Sequence, residues 1–215
     1  MNMAVDELLL SQAGVLCAGV PLVRVYGWSA PAVSIGYAQR AAAVPKAEGV
    51  TVVRRPTGGG MVWHDADLTY TVVIPAGHPL SRLERVESYR VFHRAVVRLL
   101  ADCGIRAWLV ARAPGGVDRA TMRCFASPTI YDVLWNGGKA AGAAQRRTRD
   151  GILHQGSILL APTGWQRQEL AARLRSAFAA EFAIGWREFS PAPAFLAAAA
   201  ALATDRYADP DWHRA

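Results

Sequence analysis

The chain has 215 residues, of which 52% are hydrophobic and 19% charged, with a formal net charge of +7. That length supports one sizeable core, and the apolar share excludes a disordered chain. No apolar run reaches a membrane span, no basic-then-apolar leader opens the chain, and three widely spaced cysteines exclude a disulfide framework or a cysteine-based metal site. A cytoplasmic protein without metal or membrane contact is expected. The positive charge favours an acidic partner. No helix-turn-helix, zinc-finger or aromatic RNA-binding signature accompanies it, so nucleic acid is not the expected partner.

In chain order, Asn2 is the expected cap of a helix over 2–17, with Val5, Leu8, Leu9, Ala13 and Leu16 on one face and Asp6 and Glu7 at its positive end. Short strands follow at 22–26 and 32–35, a short helix or turn at 41–47, and a strand at 50–54. Two more strands are expected at 61–64 and 68–74. The spacing of Val86, Tyr89, Phe92, Val96 and Leu99 predicts a helix over 82–101, ended by Gly104. A strand at 105–110 and a mobile loop at 113–123 come next. Asn136-Gly137 and Asp150-Gly151 are hairpin turns by composition and predict an antiparallel meander of 130–135, 138–147 and 152–160. A two-residue turn at Asp150-Gly151 would pair Arg147 with His154. Lys139, Ala141, Ala143 and Gln145 would then share a face with His154. Helices are expected at 165–179 and 193–203. The aromatics Tyr207 and Trp212 predict a tail that docks on the body. No repeat or linker divides the chain, so a single domain over 1–215 is expected, with no accessory C-terminal domain.

Two stretches carry chemistry. The first is Arg54-Arg55-Pro56-Thr57-Gly58-Gly59-Gly60-Met61-Val62-Trp63-His64-Asp65. Three glycines contribute no packing, but they allow a bare backbone to approach a ligand. A bend between strands is the plainer alternative. Three glycines between Arg-Arg and His-Asp favour a binding loop. The second is Gly137-Gly138-Lys139-Ala140-Ala141-Gly142-Ala143-Ala144-Gln145, in which one lysine precedes a run of small side chains. Such a run lets a ligand lie close against the sheet, which points to Gly142 and Ala143.

These two stretches resemble the lipoate–protein ligase and octanoyltransferase family, a branch of the biotin/lipoate cofactor transferases. The segments at 2–7, 26–28 and 34–37 and the ending with Tyr207 and Trp212 are also similar to it. The resemblance implies an α+β fold, a mixed and largely antiparallel sheet flanked by helices, like the biotin/lipoate protein ligase catalytic domain. It implies that Arg55, Thr57, Gly58, Gly59, Gly60 and His64 border the substrate and that Lys139 contacts the acyl carbonyl. Arg123-Cys124-Phe125-Ala126-Ser127-Pro128 resembles the nucleophile segment of the cysteine-dependent octanoyltransferases. Cys124 is therefore the expected nucleophile, its thiolate favoured by a cationic neighbour. Cys17 and Cys103 are read as packed small hydrophobes.

The activity implied is transfer of an octanoyl or lipoyl group from acyl carrier protein to a lysine of an acidic lipoyl domain or glycine-cleavage H protein, with no cofactor. An ATP- and Mg-dependent lipoate ligase, an amidotransferase between lipoyl proteins and a non-catalytic partner subunit remain alternatives. One departure from the family pattern stands out. The order His154-Gln155-Gly156 puts Gln where a His commonly precedes the glycine.

Overall fold

The computed structural model describes residues 1–45, 47–112, 125–126, 128–161 and 163–214. Two sheets, not one, form the frame. The larger has six strands in the order β1 (Leu22–Tyr26), β5 (Asp67–Pro75), β9 (Gly151–Leu159), β8 (Gly138–Thr148), β7 (Val133–Trp135) and β6 (Trp108–Leu109). Every neighbour in it is antiparallel. The smaller has β2 (Ala32–Ile35) in the centre, parallel to β3 (Thr51–Arg54) and antiparallel to β4 (Val62–His64). The fold class is thus α+β with mixed but mainly antiparallel pairing, as expected.

Strand β5 is buried from end to end and β9 all but its last residue, and helices cover both faces. On one face α3 (Arg85–Asp102) and α4 (Arg167–Phe182) pack Phe92, Val96, Leu99, Leu174 and Phe178 against Leu68, Tyr70, Val72 and Ile158. On the other, α1 (Asn2–Ser11) and α5 (Pro193–Leu202) close on Val73 and Leu153 through Leu9, Leu10 and Phe195. Helix α3 is capped by Glu84, whose carboxylate accepts from the amides of Val86 and Glu87, and so begins at Arg85, three residues later than the sequence suggests. Helix α4 starts with a reciprocal cap between Gln166 and Glu169.

Local physics moved several expected features. The first helix breaks at Gln12 and resumes as the short α2 (Ala13–Leu16). Asn2 does not cap it; its amide donates to Gly27 O and its carbonyl accepts from Arg24. Asp6 is no dipole partner but a fully buried acceptor. The second hairpin turns at Arg149-Asp150, and Gly151 opens β9 opposite Thr148. A Cβ on Gly151 would overlap the Ile74 carbonyl, so this glycine is spent on close packing against β5, not on the turn. The register is therefore Gln145 opposite His154, two residues from the expected pairing. The parity is unchanged, so Ala141, Ala143 and Gln145 keep His154's face. Lys139 does not. A bulge between β7 and β8 puts Val133 opposite Ala141 but Leu134 opposite Lys139, which turns the lysine to the face of Gly142.

The tail docks as expected. After α5, one π-helical turn (Ala203–Tyr207) and α6 (Pro210–Arg214) bring Tyr207 and Trp212 against Met3, Ala4, Tyr26 and Trp28. Cys17 is buried and Cys103 half-buried, and burial raises both thiol pKa values. Among the described residues no helix is long and apolar enough to cross a membrane.

Candidate active site

The glycine stretch leaves β3 and crosses the opposite face of the large sheet from α3 and α4. Its shape is held from within by Arg55, which is 6% exposed. One terminal nitrogen of its guanidinium donates to Gly58 O (2.5 Å) and Gly60 O (2.7 Å), and the other to Ser34 O (3.1 Å) and Ser34 Oγ (3.2 Å). Gly59 has φ +84° and is exposed. A Cβ there would sit 3.0 Å from Arg55 Nη2 and 3.4 Å from the Ala144 methyl, so the bare backbone presses onto β8. Gly36 is as tight from the other side, since a Cβ on it would overlap Gly59 O. The loop is a braced cradle. Arg55 is its internal clamp, with its donors directed to the cradle's own carbonyls.

Thr57 is fully buried and donates to Gln155 Oε1 at 2.7 Å. The Gln155 amide in turn donates to Asp6 Oδ2 at 2.7 Å. Asp6 also accepts from Arg24 (2.9 Å), Tyr26 (2.8 Å) and Thr71 (2.7 Å). One buried carboxylate on α1 thereby ties β1, β5 and β9 to the cradle. Gln supplies one acceptor and one donor, the same pair a neutral His offers. Gln155 thus holds Thr57 and Asp6 together without a titratable group.

His64, 5% exposed, lies between Ser34 Oγ (2.7 Å, to Nε2) and Asp67 Oδ2 (2.9 Å, to Nδ1), stacked on Trp28 with ring centroids 4.2 Å apart. Arg55 donates to Ser34 Oγ, so the hydroxyl proton is available for Nε2, and Nδ1–H donates to Asp67. Ser157 (2.6 Å) and Thr69 (3.0 Å) also donate to Asp67. Burial pushes the Asp67 carboxyl up, but the hydrogen bonds from His64, Ser157 and Thr69 bring it below the usual carboxylate range. The order Ser–His–Asp looks like a nucleophile triad, yet Ser34 is 2% exposed with a guanidinium on its oxygen. The array braces β2, β4, β5 and β9 beneath the cradle. Asp65, the carboxylate of the motif, is exposed and caps Ala66 N; the working acid is Asp67.

Lys139 is buried with its Nζ 2.7 Å from Asp132 Oδ2, which also accepts from the Thr129 amide and hydroxyl. A Cβ on Gly142 would overlap the Lys139 Cε. Gly142 and Ala144 are two residues apart on one strand face, roughly 7 Å. One meets the lysine and the other meets Gly59. Cradle and lysine therefore lie side by side over β8. Ala143, named from the sequence beside Gly142, is on the opposite face, paired with Gly156, on which Tyr70 packs; Ala144 is the alanine that meets the cradle. A cleft of about 410 Å³ lined by Trp135, Gly138, Lys139, Ala140 and Leu159 opens beside the lysine strand. Cys124 lies outside the described residues. The ring of Phe125, which follows it in the chain, is centred 6.0 Å from Lys139 Nζ. Asp132, Asp67, Ser34 and Asp6 had no site role legible in the sequence, because each role rests on partners such as Lys139 for Asp132, Ser157 for Asp67, Arg55 for Ser34 and Gln155 for Asp6 that only the folded strands bring together.

Residues 1–179 match the model of the lipoyl protein ligase A/B catalytic domain. Octanoyltransferase LipM of Kyrpidia tusciae is 38% identical over 212 residues, covering 89% of this chain and 76% of its own length. Octanoyltransferase LipM of Bacillus subtilis is 34% identical over 172 residues, covering 74% of this chain and 60% of its own, so the chain spans only part of such relatives. A bi-partite lipoate protein ligase from Thermoplasma acidophilum superposes with a TM-score of 0.77 over 99% of this chain and 90% of its own, at 21% identity. A lipoate-protein ligase A bound with ATP does so with a TM-score of 0.77 over 99% and 92%, at 22% identity. At those identities the likeness to solved structures speaks for the fold. With 179 matched residues and a relative at 38% identity, the chain belongs to the lipoyl protein ligase A/B catalytic-domain family of acyl-transferring enzymes.

Proposed function

We propose that this protein moves an octanoyl or lipoyl group from acyl carrier protein to a lysine of a lipoyl-accepting protein, through a thioester on Cys124. The observation that carries the reading is the placement of the glycine cradle and Lys139 side by side over Gly142 and Ala144, two small residues of β8. An acyl chain lying there meets bare backbone on one side and an ammonium on the other. Similarity to octanoyltransferases favours transfer over ATP-dependent ligation. The proximity of Phe125 to Lys139 supports Cys124 as the sulfur that works with this lysine.

In the reaction, the Cys124 thiolate attacks the carbonyl of the donor thioester. The tetrahedral oxyanion takes hydrogen bonds from cradle amides and the Lys139 ammonium. The carrier thiolate leaves and is protonated, and the acyl group remains on sulfur. The amine of the acceptor lysine then attacks, the Cys124 thiolate leaves, and the amine proton is lost as the amide forms. Asp132, 2.7 Å from Nζ, holds Lys139 in place. No cofactor enters either step. An acidic lipoyl domain or glycine-cleavage H protein is the acceptor, steered by the +7 charge.

The test is intact mass after incubation with octanoyl–acyl carrier protein and no ATP. An octanoyl adduct present in the native protein and absent in Cys124→Ser supports the reading. Absence of the adduct, together with ATP-dependent adenylation of free lipoate, replaces it with a ligase. An adduct formed only from octanoyl-lipoyl protein makes the enzyme an amidotransferase.

A further inference from the structure

Arg54 is 2% exposed. Its guanidinium donates to carbonyls from two segments far apart in the chain. One set is Gly36 O (3.3 Å), Tyr37 O (2.6 Å) and Gln39 O (2.7 Å); the other is Trp212 O (2.8 Å) and His213 O (2.9 Å). Its backbone amide donates to His213 Nδ1 at 3.0 Å, and His213 Nε2 lies 2.9 Å from Tyr207 O. The two partners fix the imidazole tautomer: Nδ1 accepts and Nε2–H donates. The Trp212 ring meets Tyr37 edge-on, centroids 6.0 Å apart, and Tyr207 donates to Glu7 on α1 at 2.7 Å.

The segment held this way is the wall of the cradle. Tyr37 N donates to Thr57 O (2.8 Å), Arg55 N donates to Ile35 O (2.9 Å), and Gly36 is packed onto the Gly59 carbonyl. A continuous path thus runs from α6 through Arg54 to residues 36–39 and on to the cradle backbone. The tail lies beyond residue 179, where the family-model match ends.

We propose that residues 207–213 are a strap that positions the glycine cradle through Arg54, so that Arg54, Trp212 and His213 are positioning residues for acyl transfer. The proposal rests on the reading that the cradle receives the acyl chain. Lysine cannot replace Arg54, because a single ammonium cannot bridge five carbonyls in two segments. Trp212 and His213 matter through the wall they hold and not through contact with substrate.

The test compares the 215-residue protein with Trp212→Ala/His213→Ala and Arg54→Lys by hydrogen–deuterium exchange and by octanoyl-transfer kinetics. The expected result is exchange at least tenfold faster at the amides of Tyr37, Gln39 and Arg55, with the β8–β9 hairpin as protected as before. Transfer kcat/KM falls by at least tenfold in both variants. Exchange unchanged at residues 35–39 and 55–60 overturns the strap. So does a uniform rise across β5, β8 and β9, which makes the tail a general stabiliser. If native protein transfers no octanoyl group, the functional reading falls, while the exchange comparison still decides the strap.

Discussion

Replacing Gln155 with Glu exchanges one atom and tests the link between Asp6 and the cradle. Gln155 sits 2.7 Å from both Thr57 Oγ1, which donates to it, and Asp6 Oδ2, which accepts from it. A protonated carboxyl offers the same pair, a carbonyl acceptor and an O–H donor. An ionised one is acceptor-only and faces a carboxylate. Two charges about 4 Å apart repel by about 4 kcal/mol at an effective dielectric of 20, and the lost bond to a charged acceptor adds about 1.5–3 kcal/mol. Arg24, on the other Asp6 oxygen, offsets part of this. Keeping the introduced carboxyl protonated is cheaper at neutral pH, so its folded pKa rises above the unfolded value of about 4.3. Stability is then intact below that unfolded value and falls by about 1.4 kcal/mol per unit as pH rises toward the folded pKa, reaching about 3–4 kcal/mol at pH 7. Urea denaturation of native protein and Gln155→Glu at pH 4.5 and pH 7.5 measures this directly. The expected penalty is under ~1 kcal/mol at the lower pH and ~3–4 kcal/mol at the higher. An equal penalty at both would refute the bridge, as would full stability at pH 7.5.

Arg55→Lys should cost about 1–3 kcal/mol in denaturation and lower transfer sharply, because a point charge cannot clamp Gly58, Gly60 and Ser34 together; full activity would show that the clamp is dispensable. Lys139→Met leaves the buried Asp132 carboxylate uncompensated and should cost about 3–5 kcal/mol. Adding Asp132→Asn should recover most of that stability without recovering turnover, and recovered turnover would remove Lys139 from the chemistry. His93 and His154 are buried, and burial holds both below the ordinary His value, with the His93 charge adding to the effect at His154. Their contribution is present above pH ~6.5 and is lost as pH falls through the depressed folded values. His154→Gln should therefore flatten part of the stability loss between about pH 6.5 and 5; a pH profile parallel to native would contradict it.

The parts legible in the sequence are those set by local rules. Periodicity located α1, α3 and the strands of both sheets, and Asn136-Gly137, with φ of 49° and 76°, is the hairpin turn its composition implies. The glycine run and Lys139 were visible as a bare backbone and an isolated cation. The rest depended on where distant elements meet. Gly151 reads as a turn residue until the Ile74 carbonyl of β5 is placed against it. The face of Lys139 depends on a bulge that alternation alone does not reveal, and that bulge brings it to the cradle's side. Arg54 and Arg55 look equivalent in the motif. One holds the cradle from inside, and the other holds the tail, 158 residues away. Asp6 reads as a charge at a helix start, and only the convergence of β1, β5 and β9 makes it a buried hub.

The most direct measurement is a crystal structure of the protein trapped with its octanoyl group. The predicted acyl chain lies over Gly142 and Ala144, with its carbonyl oxygen about 2.7–3.1 Å from Lys139 Nζ or a cradle amide. A chain bound on the Ala143 face, or one out of reach of both Lys139 and the cradle, would contradict the account.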